Sequence, residues 1–160
     1  MNTSTLCPLC GKGTLVEGER ERTRTVGGVT YAATLPASLC DTCGEAIFAT
    51  ATVRAFTREV TAAVAASGAR SGDAVTMLRK TAGLTGVALA RLLGVAPETV
   101  SRWEHAERTP DRATMTLLGA LALEACDGLH TTHDRLEALA RAAEDGATPT
   151  RVTLHVRPAA

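Results

Sequence analysis

Four cysteines set the chemistry of the first third of the chain. Cys7 and Cys10 in CPLCG and Cys40 and Cys43 in CDTCG form two Cys-x-x-Cys pairs, with residues 11–39 between them. Two intervening residues let the backbone turn so that both thiolates of a pair reach one ion at ~2.3 Å, and two such pairs complete a tetrahedron. Gly11 and Gly44 trail the pairs and suit the left-handed backbone that such a turn needs. One pair alone would equally suit a redox dithiol, whereas two pairs in a reducing compartment favour Zn2+ over disulfides. Four thiolates fill the coordination sphere and leave no position for a reacting water, so the expected site is structural. A unit of about 50 residues has little core of its own, and metal binding would supply folding free energy that chelation removes.

The fifth cysteine, Cys126, stands with His130 and His133 in a Cys-x3-His-x2-His spacing. A second metal would need a fourth ligand that is not evident, and a buried thiol beside two surface histidines at a helix start is the plainer reading. No Ser/His/Asp, Cys/His or paired-carboxylate constellation stands out elsewhere, so an enzyme is not expected.

The elements that must hold the cysteines follow from pattern. GTLVEGERERTRT and VTYAATLPASL flank Gly27-Gly28, which reads as a hairpin. The charges of Glu17–Arg24 read as a solvated strand pair or as a surface that faces a partner. Val53, Phe56, Val60 and Val64 recur at helical spacing within residues 49–66, and SGARSGD (67–73) reads as a linker. Asp73 is the expected cap of a helix running to about Ala82, with Gly83 as its break. Thr85 caps a second helix that stops at Gly94, and Pro97 opens a third at its first position. Ala88, Leu89, Leu92, Val95, Val100 and Trp103 would face inward; at 100° per residue Glu98 and Arg102 then lie opposite Val100, with Thr99 beside them.

Short helix, tight turn, short helix is the order of a helix–turn–helix, whose second helix enters the major groove. Arg102 on that outer face suits guanine O6 and N7, and Glu98 suits cytosine N4. The alternative is a solvated Glu98–Arg102 pair one helical turn apart. Composition narrows the mode of any such contact. Seventeen basic residues balance 17 acidic ones, and Tyr31, Phe48, Phe56 and Trp103 are the only aromatics. Bulk attraction to nucleic acid and stacking on an aromatic platform are therefore excluded as working principles. There is no apolar run of ~20 residues, and MNTSTLCPLCGK carries no basic, then apolar leader, so a cytoplasmic protein without a membrane span is expected.

CPLCG and CDTCG followed by LRKTAGLTGVALARLLGVAPETVSRWEHAERTP resemble the MqsA-type (YgiT-type zinc-finger) antitoxins, whose second half is of the Xre/Cro helix–turn–helix family. The likeness runs over residues about 7–123. It implies Zn2+ on Cys7, Cys10, Cys40 and Cys43, a homodimer formed through the helical part, and a palindromic double-stranded DNA operator read by Arg102. It further implies a cognate toxin, bound by the zinc unit. Three positions depart from the pattern: Glu98 replaces a base-reading asparagine, Gly86 a phosphate-binding glutamine, and Ala106 the glycine after the recognition helix.

The expected fold class is α+β: a small zinc-binding hairpin domain, then an all-α helix–turn–helix domain, then a short C-terminal strand. The expected boundaries are 1–50 for the zinc unit, 51–72 for a connecting helix and linker, 73–126 for the helix–turn–helix domain and 127–160 for an extension. In that extension Leu129, Leu136, Leu139 and Ala143 mark a helix, and Val152, Leu154 and Val156 alternate with polar residues as in a strand. The function this supports is a zinc-stabilised DNA-binding repressor, the antitoxin of a type II pair. The alternatives are a stand-alone transcription regulator, or an interaction scaffold with a degenerate helix–turn–helix.

Overall fold

Strict alternation sorts the charges of the first long strand. The computed structural model describes residues 6–146. In it β1 (Leu15–Val26) and β2 (Val29–Cys40) pair antiparallel from Leu15↔Cys40 to Val26↔Val29, and β3 (Ala46–Ile47) joins the other edge of β2. The two-residue turn has φ of 57° at Gly27 and 82° at Gly28, a pair of left-handed positions that matches the twist of the flanking strands. Glu17, Glu19 and Glu21 fall on one face and are exposed, while Arg22 and Arg24 fall on the other and are half-buried. The Arg22 guanidinium lies over the Phe48 ring, 5.2 Å from its centroid, with the Phe56 ring at 6.0 Å.

Six helices follow among the described residues: α1 (Thr50–Ser67), α2 (Gly72–Thr81), α3 (Gly86–Leu93), α4 (Pro97–Glu104), α5 (Arg112–Cys126) and α6 (Thr131–Asp145). The mixed α+β class is as expected. Thr85 caps α3 by accepting from the Ala88 N–H at 3.1 Å, and Pro97 is the first residue of α4. The cap of α2 differs from the expectation. Ser71 Oγ accepts from the Ala74 N–H at 3.3 Å, whereas Asp73 lies inside the first turn and its carboxylate accepts from the Gly27 N–H at 3.3 Å. A serine two residues earlier already satisfied the free amide, which released the aspartate to tie the hairpin turn to the helix. The stretch read as a linker is correspondingly short, because α1 runs through Ser67 and α2 begins at Gly72.

The core lies among the helices. α5 packs on α1 and α2, and Leu78, Leu89, Val100 and Leu118 are fully buried. Phe56, Val60 and Val64 place α1 in the same cluster, and Val26 enters it from the hairpin, with Tyr31, Ala33 and Leu35 packed against it. Gly72 permits a close crossing, since a Cβ there would strike the Glu104 carbonyl.

α6 buries no residue. Of its expected apolar positions Leu136 packs on the core, while Leu139 is 66% exposed. Polar contacts hold the helix: Arg91 on α3 donates to Glu137 at 2.6 Å and Glu144 at 2.7 Å, and Thr132 donates to Glu124. The strand expected at Arg151–Arg157 lies outside the described residues. No helix among them is long and apolar enough to cross a membrane.

Candidate functional site

Two matching turns build the cysteine cluster. In the first, the Gly11 N–H donates to the Cys7 carbonyl at 2.9 Å, and in the second the Gly44 N–H donates to the Cys40 carbonyl at 3.0 Å. Gly11 and Gly44 have φ of 66° and 71°, as the sequence required. The Gly13 N–H points at Cys10 Sγ and the Cys43 N–H at Cys40 Sγ, both at 3.4 Å. Asp41 locks one turn to the other: its N–H donates to the Thr14 carbonyl at 3.1 Å, and its carboxylate accepts from the Thr14 N–H at 2.9 Å.

The four Sγ atoms lie within 4.8 Å of one another, close enough to hold one metal ion. Cys7 and Cys43 are 4.0 Å apart and Cys10 and Cys40 are 3.7 Å apart. Bonds of ~2.3 Å to a central ion give a tetrahedron with edges of about 3.8 Å, so the residues fit a thiolate-bound dication. The thiols themselves divide. Amide donors from Gly13 and Lys12 bring Cys10 down to about 6. At Cys43 the Glu45 amide favours the thiolate, but the adjoining Cys40, burial and the other two thiols outweigh it and push the group up to about 12. Four thiolates this close repel one another, and a dication at their centre removes the conflict.

Sequence reading passed over Gly13 and Asp41. A Cβ on Gly13 would strike Cys40 Sγ and Thr42, so the metal end closes only around a glycine there. The signal was local, a second glycine two residues after Gly11.

The outer face of α4 is the other arrangement the sequence singled out. Glu98 and Arg102 are exposed and Thr99 is half-buried, while Val100 and Trp103 are buried on the opposite side. Among the described residues Arg102 makes no ion pair, with Glu98 or any other carboxylate. Arg79 holds the helix from behind, its Nε donating to Glu104 and its Nη1 to the Leu84 carbonyl, both at 2.7 Å. Ala106 follows α4 at a φ of 59°, a left-handed conformation carried by a residue with a Cβ.

Cys126, His130 and His133 are not drawn into a metal-binding group. The ring centroids of the two histidines stand 6.4 Å apart, and His133 Nδ1 faces Asp134 at 3.2 Å. The four hairpin cysteines are the one such group among the described residues.

A comparison with curated proteins finds no match. The family model for the antitoxin component of the bacterial toxin–antitoxin system, MqsA, matches residues 5–125, a stretch that holds all four cysteines, α1–α4 and nearly all of α5. With that match over most of its length, the chain belongs to the MqsA antitoxin family.

Proposed function

We propose that the protein is a dimeric, zinc-stabilised cytoplasmic repressor that reads a palindromic operator with α4 and neutralises a cognate toxin. Family membership supports an antitoxin, and so a regulator rather than an enzyme. In this reading Zn2+ is the ion on Cys7, Cys10, Cys40 and Cys43, since thiolates in a tetrahedron select it among divalent metals. The ion would fold the turns that carry the metal end of the hairpin.

One observation carries the DNA reading. Glu98, Thr99 and Arg102 share the outward face of a short helix that opens on Pro97, with Val100 and Trp103 buried behind them. The preceding helix α3 ends at Gly94 in a left-handed cap, so the two helices follow the helix–turn–helix order. An arginine without a carboxylate partner keeps its fork for guanine O6 and N7, and Glu98 accepts from cytosine N4. Two such faces in a dimer would meet two half-sites related by the dimer axis.

The test is Arg102→Ala, read on the protein's own promoter and on random duplex DNA. We expect a loss of about 1–3 kcal/mol on the promoter and a much smaller loss on random DNA. Equal losses on both would reduce Arg102 to a phosphate contact. Failure of the parent protein to bind its promoter at low salt would overturn the repressor reading.

A further inference from the structure

A cleft of about 630 Å3 opens where the hairpin meets the helices, between β1, the first half of α1 and the carboxyl ends of α2 and α5. Three cations from three elements line it: Arg24 of β1, Arg54 of α1 and Lys80 of α2. Among the described residues no carboxylate lines it, and Val53 and Ala125 supply an apolar wall. Other cations do find carboxylates: Arg58 pairs with Asp127, Arg79 with Glu104, and Arg91 with Glu137 and Glu144. Among the described residues Arg24, Arg54 and Lys80 enter no ion pair.

Ordinary structural roles do not account for all three. Lys80 sits in the last turn of α2, where a cation complements the helix dipole. Arg54 is the fifth residue of α1, and the first turn before it holds no acid that could pair with it. Arg24 is half-buried on the inward face of the hairpin, and withdrawing a guanidinium from water without a partner is unfavourable.

We propose that this cleft binds a small molecule bearing a diphosphate or longer phosphate chain. Two guanidiniums offer bidentate donors matched to phosphate oxygens, and the ammonium adds a point charge. Three positive charges balance a diphosphate, whereas a single carboxylate would leave two of them uncompensated. The volume falls within the range of small-ligand sites, and the apolar wall takes the uncharged body of the ligand. Glu98, Thr99 and Arg102 do not line the cleft, so the site is separate from the outer face of α4. An occupant would join the hairpin to α1 and α2 and so connect the metal-bearing element to the helical body.

Calorimetric titration of the full-length, metal-loaded protein with ADP tests the proposal. Saturable binding is expected, weakened at least tenfold by Arg54→Ala or Lys80→Ala. Both side chains are exposed, so the melting temperature without ligand should stay unchanged and show that the variants fold. Absence of saturable binding, or affinity unchanged in both variants, would overturn the proposal. Displacement of ADP by a short random-sequence DNA duplex would also overturn it, because the cleft would then be holding a nucleic-acid backbone.

Discussion

The two ends of the hairpin are held by different physics. At the turn, Val26 is 6% exposed within a cluster that spans α1 to α5, and the Gly27 amide is tied to Asp73 on α2. At the cysteine end the neighbouring apolar side chains face water: Leu6 is 60% and Leu9 65% exposed. What is buried there is Cys7, Cys40 and the glycine between them in the fold, Gly13. One end rests on hydrophobic burial and the other on a small polar frame with four thiols at its centre. A single pair of strands thus joins a region held by exclusion of water to one whose four thiols are placed for coordination.

Removing the metal should separate the two regions most sharply. Structural zinc in small domains contributes on the order of 10–16 kcal/mol at neutral pH, and no apolar cluster at the cysteine end would replace it. Chelation is expected to expose the amides of residues 6–14 and 40–47 to hydrogen exchange. The amides of α2, α4 and α5 should keep their protection. The turn end, from Val26 to Ala33, should stay docked, which narrows the sequence-based expectation that the whole of residues 1–50 unfolds. Metal-free protein with an ordered cysteine end would erase the distinction between the two ends.

Truncating the core probes the opposite side. Leu118 is 1% exposed at the centre of α5, and Leu118→Ala should lower stability in urea by about 2–5 kcal/mol. The bound metal per chain should stay the same. Loss of metal in the folded variant would mean that the cysteine end depends on the helical core.

A smaller change tests local strain behind α4. Ala106 holds a φ of 59°, and a left-handed alanine is unfavourable by roughly 1–2 kcal/mol. Glycine relieves that and gives part of it back as chain entropy, so Ala106→Gly should stabilise the helical body by about 1 kcal/mol in the same urea titration. Metal affinity should not move. A destabilised variant would show that the Ala106 side chain makes contacts worth more than the strain.

The smallest expected effect concerns α6, which is attached by charge. Glu137 and Glu144 are both held below the usual carboxylate range by their hydrogen bonds to Arg91. Depressed folded values mean that this contribution is fully present above the unfolded value of ~4.3 and is lost as pH falls through the lower, folded values. Acidification below about pH 4 should therefore expose α6 amides to exchange before those of α5. Simultaneous loss would place α6 in the same cooperative unit as the core.

Local chemistry made much of this molecule legible without coordinates. The trailing glycines of both Cys-x-x-Cys pairs, the Gly27-Gly28 turn, the Thr85 cap, Pro97 at the head of α4 and the burial of Val100 and Trp103 each depend on residues a few positions apart. Turn, cap and period are properties of near neighbours, and a sequence displays near neighbours directly. Tertiary structure alone decided which faces meet. It set Arg22 over Phe48 and Phe56, gave Asp73 to the hairpin turn after Ser71 had taken the cap, and clamped Arg79 to Glu104. It also left Leu139 in water and brought Arg24, Arg54 and Lys80 to one cleft. Those outcomes depend on how separate helices and strands share a limited interior. Side chains from distant parts of the chain compete for the same space and the same partners, and periodicity along one element carries no record of the winner.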